Sequence, residues 1–236
     1  MKNIVFTAFI LIIALGGCAD VQPQGYVYYI SPIGSDTQIS KVDAGTGEVT
    51  AIFNTKYREM GIVELNGELI VISENDSAIL LFRLNPETGE MALLEDSLIL
   101  DDIEDGIRKS GEWVVHSKEG RILWRPWADV EPVVVSNSEE TASDPAISRQ
   151  AGLLAYSAKF DEGKWAVIVK QLPDGIVKAS FKSDKLVANP SISPDGFWIV
   201  FERRFNEDSA EILIGDIQTG RTRIIGAGNK PLWFNK

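Results

Sequence analysis

Apolar residues in this chain come in short, regularly recurring runs, each opened by a glycine. Gly25, Gly67, Gly111, Gly152 and Gly196 precede YVYYIS, ELIVIS, EWVVHS, LLAYSA and FWIVFE, at spacings of 42, 44, 41 and 44 residues. Runs of this length, rich in β-branched and aromatic residues and bounded by turn formers, predict strands. No long segment keeps a 3.6-residue apolar period, so helices should be few.

The unit from Asn189 to Gly226 shows what lies between these runs. Ser193-Pro194-Asp195-Gly196 joins an inner strand to FWIVFE, because proline presets one turn position and glycine accepts positive φ. Asn206 to Ser209 form a polar loop ahead of the third strand, EILIGDI, and Gln218-Thr219-Gly220 turns into an outer strand, RTRIIG. The third turn recurs at 43–47, 85–89 and 172–175, whereas Pro126-Trp127-Ala128-Asp129 replaces it in the third unit.

A meander of about 40 residues cannot bury an apolar face alone, so the units must pack around one axis. That predicts an all-β fold, a β-propeller of five four-stranded blades. Closure is legible too. The first unit lacks an inner strand, and the chain ends on Asn229-Lys230-Pro231-Leu232-Trp233-Phe234, an inner strand with nothing after it. The C-terminal strand should therefore complete the N-terminal blade, and a sixth blade has no counterpart in the sequence.

The N-terminus follows another logic. Lys2, the apolar run IVFTAFILIIALGG and Cys18 have the basic start, short apolar stretch and small residues of a secretory signal. Leu15-Gly16-Gly17-Cys18 resembles the bacterial lipobox, which implies cleavage before Cys18 and acylation of its sulfur. Cys18 is the only cysteine, so no disulfide explains it. Two acyl signals together hold a membrane stably. Ala19 after the cysteine resembles the pattern that sends Gram-negative lipoproteins to the outer membrane, on its periplasmic face. The expected organisation is a signal at 1–17, a lipidated cysteine and polar tether at 18–25, and the propeller at 26–236.

Asn189-Pro190-Ser191-Ile192-Ser193-Pro194-Asp195-Gly196, with Trp198 and Phe201 after it, resembles the WD40-like repeat of TolB-type propellers. Asp144-Pro145-Ala146-Ile147-Ser148 begins a degenerate second copy. The resemblance implies a non-enzymatic, envelope-bound propeller that serves as a scaffold for envelope proteins. Motifs of this kind specify fold better than function.

The formal charge of −11 repels nucleic acid, and no basic cluster is interleaved with aromatics. Nothing in the sequence calls for a cofactor or a metal. The single histidine, His116, lacks a nucleophile elbow and reads as structural. The tryptophans should pack between blades, with Trp124 and Trp127 flanking the degenerate turn as a candidate exposed patch.

Inner-strand starts face the funnel of a propeller. Aligning the units brings Met60, Asp105, Asp144, Asn189, and Asn229 or Lys230 to that ring. Asp105 and Asp144, on adjacent blades, are the candidate carboxylate pair for a carbohydrate or small ligand, as in five-bladed glycosidases. The other reading makes these residues strand caps that bond turn backbones. The acidic run Asp101–Asp105 reads as a solvated rim.

Overall fold

Each glycine-led run is the second strand of a four-stranded antiparallel blade. The computed structural model describes residues 22–33, 36–65, 67–75, 78–94, 107–207 and 209–234. Cys18 and the acidic run Asp101–Asp105 fall outside these residues.

The chain opens with β1 (Tyr26–Ile33), β2 (Asp36–Asp43) and β3 (Val49–Phe53). Blade two is β4 (Arg58–Leu65), β5 (Glu68–Asn75), β6 (Ala78–Leu84) and β7 (Met91–Leu94). Blade three is the slightest, with β8 (Arg108–Ser110), β9 (Trp113–Lys118), β10 (Arg121–Arg125) and β11 (Val133–Val134). Blade four is β12 (Glu140–Ser148), β13 (Leu153–Phe160), β14 (Trp165–Gln171) and β15 (Ile176–Ser183). Blade five is β16 (Leu186–Ile192), β17 (Trp198–Arg204), β18 (Ala210–Asp216) and β19 (Thr222–Ala227). The last strand, β20 (Asn229–Phe234), then pairs with β1, giving a first sheet ordered β20-β1-β2-β3. Five blades and closure by the C-terminal strand are what the sequence predicts.

Most middle strands are apolar on both faces because they are sandwiched between neighbouring blades, β2 (DTQISKVD) being a mixed one. Both β13 and β14 are buried along nearly their whole length, while the outer strands β3, β7 and β11 are largely exposed. The core is correspondingly divided. One cluster joins Tyr28, Leu69 and Phe234 of blades one and two, and another joins Val115, Trp124, Leu154 and Tyr156 of blades three and four. Trp124 is thus buried, edge-on to Trp113 at 5.4 Å, and does not form a surface patch with Trp127. Of that pair, Trp127 alone is exposed, and its indole N–H donates to Glu112. The reason is the direction of β10, which turns Trp124 inward before the chain leaves the sheet at Arg125.

The turns use the chemistry that the sequence advertises. Asp43, Asn85 and Asp216 accept backbone N–H groups two or three residues ahead, each closing an Asx turn before the outer strand. In the Ser-Pro-Asp-Gly turn, Ser193 accepts the Trp198 amide and donates to Asp195. Gly196 has φ +74°, and a Cβ there would sit 2.6 Å from the Ala151 side chain. No other residue meets both demands.

Tyr28 and Tyr156 lie fully buried between blades. Burial raises both hydroxyl pKa values well above the usual tyrosine range; Tyr26 adds to the effect on Tyr28, and Glu140 to that on Tyr156. Above about pH 10 the unfolded chain loses protons that the folded chain keeps, so stability should fall with pH there. A pH series of thermal unfolding read by tyrosinate absorbance should show these two ionising only with unfolding. Ionisation of all tyrosines in a still-folded chain near pH 10 would count against it.

Candidate functional site: the axial funnel

The five inner strands surround an axial cavity of about 330 Å³. Four of the five, all but β8, carry a one-residue irregularity in their register with the second strand. In β12, Ser143 pairs with Ser157 and Ala146 with Ala155, so Asp144 and Pro145 together face one residue, Tyr156. In β16, Asn189 and Pro190 likewise face Phe201, and in β20, Lys230 and Pro231 face Tyr29. In β4 the extra residue is Met60. These are β-bulges, which bend a strand and re-aim its side chains. Proline suits them because the ladder lacks a hydrogen bond at that point.

Asp144, Asn189 and Lys230 all take left-handed backbone, with φ of 47°, 49° and 50°. Each such residue costs on the order of 1 kcal/mol. All three line the axial cavity. The alternatives at the last position are thereby separated. Lys230 occupies the ring, and Asn229 lines a neighbouring cavity with Arg58, Glu59 and Arg204.

The ring is held from behind by a buried carboxylate. Glu202 on β17 is 0% exposed; it accepts the Lys230 backbone N–H at 2.5 Å and the Arg204 guanidinium. The Lys230 ammonium donates to the Met60 carbonyl of the adjacent blade two. Burial lowers the Lys230 pKa; Glu202 opposes that shift, while Arg204, Arg58 and Arg108 reinforce it. Asp144 accepts the Ser143 hydroxyl at 3.1 Å. Arg108, on β8, is half-buried in the cavity wall and donates to the Ile107 carbonyl; burial lowers its pKa and Asp144 counters that. Glu64 also lines the cavity, where crowding by protein raises its carboxyl pKa.

Of the sequence-predicted residues, the structure brings together Asp144, Asn189 and Lys230. Asp105 lies outside the described residues, and Asp144 has a cation, Arg108, as its electrostatic partner within them. Sequence reasoning missed Arg108 and Glu202. Glu202 had a signal: it ends an apolar run at a position paired like Ser73 and Ser157, and a carboxylate there must be buried. His116 sits on β9 opposite Leu123, and its pKa is lowered by burial and by Arg125 and Lys118.

No family model and no curated protein matches the chain. Among solved structures it is similar to TolB from Acinetobacter baumannii, at 16% identity and TM-score 0.46, over 89% of this chain and 55% of that one. It is also similar to the AtxE2 isopeptidase, at 8% identity and TM-score 0.42, over 86% and 38% of the two chains. Hydrazine synthase of Kuenenia stuttgartiensis aligns at 14% identity and TM-score 0.41, over 92% and 69%. The chain thus spans about half the length of that TolB and less of the isopeptidase. These likenesses concern fold alone.

Proposed function

We propose that this chain is a lipid-anchored, non-enzymatic propeller of the bacterial cell envelope that recognises an envelope protein at its funnel mouth. The observation that carries the reading is the ring of three proline-locked bulges at Asp144, Asn189 and Lys230. Three strained residues at one height are costly, and strain of this kind collects at functional sites. They project from strands, not loops, so their side chains are held in place before any partner arrives. The lipobox at Leu15–Cys18 supplies the anchor.

The axial cavity favours a second reading, a small ligand or sugar bound along the axis, since its volume falls within the range of small-molecule sites. Glycosidase chemistry needs a second carboxylate facing Asp144; the sequence offers Asp105, and among the described residues Glu64 lines the same cavity.

In-cell crosslinking of the anchored protein, with Cys18→Ser as the unanchored control, tests the first reading. The expected result is one dominant envelope protein joined through residues beside Asp144, Asn189 and Asn206. The wild type should fractionate with membranes and Cys18→Ser should be released from them. No crosslinked protein above the control would move the function to the small-ligand reading.

A further inference from the structure

The chemistry of the funnel wall identifies what would enter it. The protein is strongly acidic overall, yet Arg108, Lys109 and Lys230 line this one opening, and Arg58 and Arg204 line the cavity beside it. Carboxylates share the wall, with Asp144 and Glu64 lining the same cavity and Glu202 lying behind it. Glu202 is fully buried and taken up by Arg204 and the Lys230 amide. Arg58 has Glu74 at 3.7 Å, a pair in which both side chains are mostly solvent-exposed and which holds little. Lys230 therefore feels three repelling cations against one attracting carboxylate.

Donor capacity remains. A guanidinium carries five N–H groups and an ammonium three. Arg108 directs one at the Ile107 carbonyl, and Lys230 directs one at the Met60 carbonyl. Between these cations, on β16, the third bulge presents Asn189, an amide that donates without adding charge.

We infer that the funnel is a receptor for an oxyanion, a carboxylate or phosphate group on whatever enters it, gripped by Arg108 and Lys230 with the Asn189 amide beside them. Bonds from charged donors in a partly desolvated wall are the strong ones, and an anion there relieves the repulsion between Arg108 and Lys230. The inference rests on the funnel being the recognition site. It also reverses the sign expected from a carboxylate pair: Asp144 becomes a gate that weakens anion binding, not a group that makes it.

The test uses the whole chain in detergent, at fixed ionic strength. Inorganic phosphate, tri-glutamate and tri-lysine are titrated, with binding read by calorimetry and by the shift in unfolding temperature. Phosphate, tri-glutamate or both should bind, and tri-lysine should not; which anion binds tells phosphate from carboxylate. Arg108→Gln should weaken the anion about tenfold or more, the worth of one bond from a charged donor. Lys230→Gln should do likewise and Lys230→Arg should restore binding, with circular dichroism confirming that each variant is folded. Asp144→Asn should tighten the anion several-fold. No anion binding at millimolar concentration, equal binding by Arg108→Gln, or weaker binding by Asp144→Asn would each overturn the inference. A crosslinked partner whose binding ignores phosphate and Arg108→Gln would remove the oxyanion and keep the scaffold. Anion binding with no crosslinked partner would do the reverse.

Discussion

Cutting the chain after Gly228 should abolish its cooperative unfolding transition. The loss is that of β20, which occupies the inner position of blade one and touches blade five as well. Trp233 is buried in the cluster between blades five and one, and Phe234 in the cluster between blades one and two. The Trp233 amide donates to Ser191 of β16 at 2.9 Å, and the Lys230 amide donates to Glu202. Truncation therefore empties two inter-blade cores and leaves Glu202 buried without one of its donors. Losing either aromatic alone costs about 3–5 kcal/mol, and the whole domain has only about 5–15 kcal/mol to lose. In the full-length chain, Trp233→Ala alone should lower the midpoint by roughly 6–20 °C. A permutant placing residues 229–234 ahead of Tyr26 through a short glycine-containing turn should regain a cooperative transition, because β20 and β1 already pair antiparallel with Phe234 opposite Tyr26. A truncated chain that melts at the wild-type temperature would remove the closure argument.

That closure is legible in the sequence itself, and the reason is physical. Blade strands are buried on both faces, so they appear as uninterrupted apolar runs, and a missing inner strand at one end with a spare at the other admits one arrangement. The funnel was less legible. Asp144, Asn189 and Lys230 stand out only through their backbone, and left-handed geometry in a residue other than glycine leaves little trace in composition. One trace existed: each is followed by proline, Pro145, Pro190 and Pro231, at the same place in three inner strands. Proline within a central strand marks a bulge, and that alone separates Lys230 from Asn229. Arg108 was hidden differently. Its strand has only three residues, too short to show alternation, so nothing local told wall from rim. Trp124 packs between blades, as expected of the tryptophans in general, because β10 pairs fully with β9 up to the degenerate turn, whereas Trp127 lies beyond the strand and is exposed.

Lys170→Ala should be among the most damaging single substitutions in the protein. The lysine is 4% exposed, in β14, and its ammonium donates to the Val135 carbonyl at 2.7 Å and to Asn137 at 3.3 Å. It lies 5.6 Å over the Tyr156 ring. Its electrostatic partner, Glu140, is 6% exposed; one carboxylate oxygen accepts Tyr156 and Asn137, and the other has no hydrogen bond. Removing the cation leaves the Val135 carbonyl and the Asn137 amide oxygen without that donor and Glu140 without the cation that offsets it, a loss of about 1–3 kcal/mol for each buried group left unsatisfied. Replacing both members, Lys170→Met with Glu140→Gln, should recover much of it, since the uncompensated charge goes with its partner. The pair also predicts a pH response. Burial lowers the Lys170 pKa, with Glu140 opposing. Between the folded value and about 10.4 the unfolded chain holds more protons, so stability should rise with pH across that window. Lys230 shifts the same way, so Lys170→Met should remove part of the slope and not all of it. Wild-type stability in Lys170→Ala, with the slope unchanged, would mean that water reaches this cluster and that the seam between blades three and four is held by its apolar contacts alone.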